Sequence, residues 1–168
     1  MKTIKNIIFA LTAAAGTLLP AACHHVDNKR TPPAAVWIPF NTYADWETYG
    51  VHGAYTYRYF IPSEKLPQGF FYTAVMRAGY GGILLVDDAK GVPLAYDLSC
   101  PYENSPEVRV QIMEDERYEA VCPKCGSHYD VFQSYGAPLS GPAAKQGYGL
   151  TNYMVGNGSN GEYKVISR

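Results

Sequence analysis

From residue 36 onward, apolar and polar positions alternate in short bursts and do not settle into a helical period. The runs VWIPF, GAYTYRYF, FFYTAVMRA, GILLVDD, PLAYDLSC, VRVQIME, YEAVC, GLTNYMV and EYKVIS are rich in β-branched and aromatic residues, and each has the length of one strand. Turn-forming stretches separate them: PSEKLPQG, GYGG, AKGV, ENSPE and NGSNG. The best helical candidate, NTYADWETYG at 41–50, offers one or two turns. VRVQIME and YEAV, joined by DER, predict a hairpin, and Asn157-Gly158-Ser159, although it matches a glycosylation acceptor, reads as another hairpin turn. The pattern predicts an all-β domain over 36–168, a sandwich or partly closed barrel.

The chain before residue 36 has a different texture. Lys2 and Lys5 precede an apolar run at 7–19, and Pro20-Ala21-Ala22 supply turn-forming and small residues before Cys23. A positive start, a short apolar stretch and a small-residue cleavage point are the marks of a signal segment, and the run is too short to span a bilayer comfortably. LLPAAC resembles a bacterial lipobox, which implies cleavage after residue 22 and a lipid on Cys23. Residues 23–35 (CHHVDNKRTPPAA) are polar and proline-punctuated, and they read as a lipidated cysteine followed by a flexible tether. The expected location is therefore the bacterial envelope, periplasmic or surface-facing, with the membrane as a partner through the anchor.

Composition narrows the function classes. The chain has 14 Lys and Arg against 15 Asp and Glu; losing Lys2 and Lys5 leaves 12 cations, a net charge of about −3. With no basic run, nucleic acid is not an expected partner. No nucleophile elbow, phosphate loop or His-Glu-x-x-His helix is present, and Asp87-Asp88 and Glu114-Asp115-Glu116 read as solvated hairpin tips. His52 has no partner motif. The domain reads as a module that does not turn over substrate alone.

The candidate chemistry lies in the cysteines. With Cys23 lipidated, Cys100, Cys122 and Cys125 remain, an odd number that cannot be fully paired within an exported chain. Either one thiol stays free or a metal holds all three. CPYENS at 100–105 and CPKCGS at 122–127 echo one another, each after a strand, and two such turns at neighbouring strand ends can face each other across a shared ion.

AYDLSCPYEN and EAVCPKCGSHYDVFQSYGAPLSGPAAKQGYGLTNYMV, with the preceding GILLVDDAKGVP, resemble a Rieske [2Fe–2S] domain over roughly residues 70–168. That family carries Cys-x-His in a first loop and Cys-x-x-His in a second, followed by Gly-Ser-x-(Phe/Tyr)-Asp, a glycine, and Gly-Pro-Ala. Here the run-on is Gly126 to Asp130, Gly136, and Gly141-Pro142-Ala143. The resemblance implies an antiparallel sandwich or partly open barrel with two cysteine-bearing loops at one end. Cys100 and Cys122 match the two cysteine ligands. The two histidine positions fall on Tyr102 and Cys125, and the accessory disulfide positions fall near Ser105 and Lys124. Without imidazoles, a cluster would be more negative and a weaker oxidant than its relatives.

Three readings stay open at this stage. A [2Fe–2S] cluster could be held by Cys100, Cys122, Cys125 and a fourth ligand from Tyr102 or His128, in an envelope protein that passes electrons to a redox partner; the fold context favours this one. Zinc could bind the three thiolates with His128 or Glu103 as fourth ligand, since Cys-Pro-Lys-Cys-Gly has the shape of a zinc knuckle. Or the site could be metal-free, with Cys122 and Cys125 joined and the domain serving as a structural or interaction module. In each case the three sulfurs are expected at the tips of two facing loops.

Overall fold

The computed structural model describes residues 25–62, 64–113, 115 and 118–167. The signal segment, Cys23, His24, Glu114 and Glu116 lie outside the described residues. The chain is an all-β protein. Its first half supplies β1 (Val36–Phe40), a helix α1 (Tyr43–Tyr49), β2 (Tyr57–Phe60), β3 (Arg77–Ala78), β4 (Ile83–Asp87) and β5 (Pro93–Asp97). Then follow β6 (Gln111–Ile112), β7 (Ala120–Val121), β8 (His128–Asp130), β9 (Ala137–Ser140), a second helix α2 (Gly141–Gln146), β10 (Asn152–Asn157) and β11 (Tyr163–Ile166). Seven strands in the order β2-β4-β5-β10-β11-β1-β3 curl into a nearly closed antiparallel barrel, and β6-β7-β8-β9 form a smaller antiparallel sheet.

The placement of the small sheet follows from β4. Its five residues ILLVD are all buried, a continuous apolar run rather than an alternating one, because both faces of the strand are covered. Leu84 and Val86 point into one core with Tyr96, Leu98, Ala120, Tyr129 and Leu150. Ile83 and Leu85 point into a second core with Ile38, Phe40, Trp46, Phe60 and Val165. Each fully buried aliphatic side chain contributes roughly 1.5–3 kcal/mol. The β2-β4-β5 ribbon is thus the shared wall between two cores, and Cys100 and Cys122 belong to the first of them, with no exposed surface.

The expected hairpins form: β6 pairs with β7, and β10 with β11, where Gly158 N–H donates to Glu162 O at 2.8 Å. The candidate helix forms as α1, with a capping box in which Thr42 and Asp45 satisfy each other's backbone amides at 3.0 Å. It buries Trp46, which stacks on Tyr163 at 4.0 Å.

Some local expectations change. Of FFYTAVMRA only Arg77 and Ala78 pair, with β1; the stretch before them is folded by turns such as Met76 N–H to Thr73 O at 3.1 Å, which leaves Phe71 and Val75 exposed. Asp87 and Asp88 are not solvated. Asp88 turns inward because its carboxylate accepts the Lys90 and Val92 amides at 2.7 and 2.8 Å. Asp87 lies under the turn at Tyr55, and burial raises its pKa. Residues 25–35, expected as a tether, make contacts with the domain: Asp27 bridges to Tyr148, and Thr31 is buried. No described helix is long and apolar enough to cross a membrane.

Candidate metal centre

Cys100 is placed by the end of β5. Beyond Asp97 the strand continues irregularly: Leu98 N–H donates to Gly82 O at 2.9 Å, and Val110 N–H to Leu98 O at 2.8 Å. Cys100 then closes its own loop, donating its amide to Val108 O and accepting from Asn104 N–H, both at 2.8 Å. Asp97 underpins this loop. It has no exposed surface, and its carboxylate accepts from the amides of Tyr80, Gly81 and Ser99, from the Ser99 hydroxyl at 2.5 Å and from the Tyr153 hydroxyl at 2.7 Å. A buried carboxylate is tolerated only when its oxygens are satisfied in this way.

The second loop joins β7 to β8. Gly126 N–H donates to Cys122 O at 3.0 Å and Cys122 N–H to Ser127 O at 2.9 Å, closing the Cys-Pro-Lys-Cys turn. Gly126 has φ 67°, the left-handed region the turn requires. The amides of Lys124 and Cys125 are directed at the Cys122 sulfur. Behind the loop, Ser127 Oγ accepts from Ala143 N–H of α2 at 3.0 Å and from the Cys125 thiol at 3.2 Å. Gly141 permits that approach, since a Cβ there would lie 2.7 Å from Ser127 Cα. Here α2 was not legible as a helix: six residues with two glycines and a proline at its borders carry no apolar period.

The two loops bring Cys100, Cys122 and Cys125 together. Cys100 Sγ and Cys125 Sγ are 3.7 Å apart, and all three sulfurs lie within 4.8 Å of one another. None is in a disulfide, so the Cys122–Cys125 bond of the metal-free reading is not formed. These three cysteines could hold a metal ion, and among the described residues no histidine or carboxylate joins their cluster.

The residues weighed as fourth ligand are placed elsewhere. His128 Nδ1 meets Glu119 Oε2 at 2.6 Å, because alternation along β8 sends residue 128 to the face opposite residue 129. Glu103 pairs with Lys124 at 2.5 Å, linking the two cysteine loops across their rim. Tyr102 is exposed. Besides Ser127, the polar side chain that reaches the sulfurs is Tyr129, fully buried, with its hydroxyl 3.4 Å from Cys100 Sγ. Sequence reasoning passed over Tyr129 as a site residue, although its strand parity with Ser127 was a usable signal.

The thiols differ electrostatically. Burial pushes the Cys122 thiol up to about 12, despite the two amides facing it. For Cys125 burial also acts upward, but the hydroxyl and amide of Ser127 and the other two thiols, donating to its thiolate form, outweigh it and lower its pKa. Burial, reinforced by the contact with Cys100, raises the Tyr129 hydroxyl beyond the ordinary range, so it stays protonated beside the sulfur. In metal-free protein at neutral pH, iodoacetamide should therefore modify Cys125 first, with Cys100 and Cys122 reacting only after unfolding. Peptide mapping checks this order, and prior labelling of Cys122 would contradict it.

No family model matches the chain, and no curated protein or solved structure does.

Proposed function

We propose that this chain is an exported lipoprotein whose β domain holds a single thiophilic metal ion on Cys100, Cys122 and Cys125, and that it serves the envelope as a metal-stabilised binding module. The observation that carries this reading is the convergence of the three sulfurs. Tetrahedral ligation with Zn–S bonds of about 2.3 Å sets sulfurs roughly 3.8 Å apart, and Cys100 and Cys125 stand at 3.7 Å. The donor set is soft, which selects zinc or a similar thiophilic ion over magnesium or calcium. Bound metal would also draw the three thiols, packed in an apolar core with Tyr129 and Ser127 as their side-chain partners from outside the cluster, onto one centre. The fourth position is then open to water or an external ligand, since neither His128 nor Glu103 is turned toward it.

The iron–sulfur reading is supported by a different observation: two cysteine loops at one end of a small antiparallel sheet, the arrangement the Rieske resemblance implies. A cluster of two irons, however, needs two ligand pairs set apart by its own width. Here Cys125, at one of the histidine positions, converges with Cys100 and Cys122, and Tyr102, at the other, faces solvent. Electron transfer is the function that would follow if a cluster were present.

Protein purified anaerobically without its signal segment discriminates the two. Elemental analysis is expected to give one zinc per chain and a colourless solution. Two irons with two acid-labile sulfides and visible absorbance would establish the cluster instead. Protein binding neither, at normal folding yield, would leave a metal-free module.

A further inference from the structure

The segment before β1 is docked on the domain as far back as Asp27. Asp27 N–H donates to Gly147 O at 2.7 Å, and Asp27 O accepts from Gly149 N–H at 2.9 Å, so the segment grips the chain just past the C-terminal end of α2. A Cβ on Gly149 would lie 2.6 Å from Val26 Cγ1, which shows how closely the two stretches are packed. Further along, the Arg30 guanidinium lies 5.1 Å over the Tyr148 ring, and the Thr31 hydroxyl meets that of Thr151 at 2.6 Å. Cys23 precedes Asp27 by four residues. Whatever path those residues take, the two Cα atoms lie within about 14 Å of one another. A lipid on Cys23 would therefore draw this one end of the domain to the bilayer and leave the opposite end remote from it.

The chemistry of that end fits a headgroup layer. Lys29, Arg30 and Lys145 are exposed there, Lys145 in the last turn of the helix whose end Asp27 grips. Asp27 and Asp130, the carboxylates at the same end, accept backbone amides: Asp27 from Lys29, and Asp130 from Phe132 and Gln133. Tyr135 is 61 % exposed, and its chain neighbour Gly136 brings it to this end by contacting Gly149 and accepting the Leu150 amide. Exposed cations around an amphipathic aromatic ring suit an anionic membrane interface.

We infer that the surface formed by Lys29, Arg30, Lys145 and Tyr135 lies against anionic lipid headgroups when Cys23 is acylated. The short connection then acts as a leash that sets the domain's orientation. This rests on the lipoprotein reading. It also places the cysteine loops, because α2 runs from this surface to Ser127; six helical residues span about 9 Å. The candidate metal centre would sit roughly one short helix above the headgroups.

The test uses the full chain made with its own signal, purified in detergent and reconstituted into phosphatidylcholine vesicles containing a minority of phosphatidylglycerol with brominated acyl chains. Tyr135→Trp is compared with Phe71→Trp, whose exposed ring lies on the β2–β3 connection that packs on the other core. The unsubstituted protein gives the Trp37 and Trp46 background. An interfacial tryptophan at 135 should lose roughly half of its added emission, while one at 71 keeps it. Combining Lys29→Glu, Arg30→Glu and Lys145→Glu should remove the quenching at 135 while the protein stays anchored. Equal quenching at both positions, or none at 135, in protein whose mass shows the acyl chains, overturns the orientation alone. A lipid-independent blue shift at 135 that grows with protein concentration would assign the surface to a second copy and also overturns it. Protein with no acyl mass, washed from membranes by carbonate just as Cys23→Ser is, overturns the lipoprotein reading and the orientation with it.

Discussion

Cys100→Ala protein should retain less than a tenth of the parent's metal and should unfold roughly 10 °C lower, given that about 3 kcal/mol corresponds to such a shift in a domain of this size. Cys100 sits in the first core with no exposed surface, its sulfur is in contact with Cys125 and Tyr129, and among the described residues no histidine or carboxylate joins the three cysteines. Structural zinc in small domains is worth on the order of 10 kcal/mol in apparent binding energy. A protein with two hydrophobic cores of its own should draw only part of its stability from the ion. The decisive comparison is with chelator. Removing metal from the parent should lower its melting temperature nearly to that of the variant, and the variant itself should not respond. Truncating one buried thiol costs about 1 kcal/mol by lost packing alone, so a small drop that chelator does not reproduce would mean that the cysteines are merely core residues.

Asp97→Ala is expected to be the most damaging single substitution outside the cysteines, costing about 4 kcal/mol or more. The carboxylate accepts three amides and two hydroxyls in a site closed to solvent. Each donor left without an acceptor costs roughly 1–3 kcal/mol, reduced where the vacated space admits water. Against a total stability on the order of 5–15 kcal/mol, that loss leaves a marginal protein. Asp97→Asn keeps the volume but turns an amide group toward donors, and should cost about half as much. Because Ser99 adjoins Cys100, the Asn variant should also bind metal roughly tenfold more weakly with stoichiometry unchanged, about 1.4 kcal/mol. Tyr153→Phe removes only one of the five donors and should cost about 1 kcal/mol. Urea unfolding of the three variants measures the series; if Asp97→Ala is within 1 kcal/mol of the parent, the carboxylate does not hold the cysteine loop.

The strands, the hairpins and the two cysteine turns are legible in the sequence because each is encoded locally. Alternation marks β1 and β11, a continuous apolar run marks β4 as covered on both faces, and Gly126 marks the turn of the second loop. Thr42 with Asp45 marks the start of α1. What escapes local reading is whatever depends on a partner distant in the chain. The stretch before Arg77 has strand-like composition, yet it lacks a strand to pair with along most of its length. Asp97 looks like any acidic residue at a strand end until Tyr80, Gly81 and Tyr153 surround it.

At the candidate metal centre the division is the same. The chain by itself determined that three thiols would lie on two loops, since the turn chemistry around Cys100 and around Cys122 and Cys125 is written in consecutive residues. Only the tertiary structure decided which side chains join them. The parity of β8 turns Tyr129 inward and His128 outward to Glu119. The pairing of Glu103 with Lys124 holds that carboxylate at the rim, and the docking of α2 brings Ser127 behind Cys125. Composition could nominate each of these residues as a ligand. Selection among them required strands and loops from distant parts of the chain to meet, and side-chain direction at such a meeting is fixed by the packing of the whole core and not by the residues on either side.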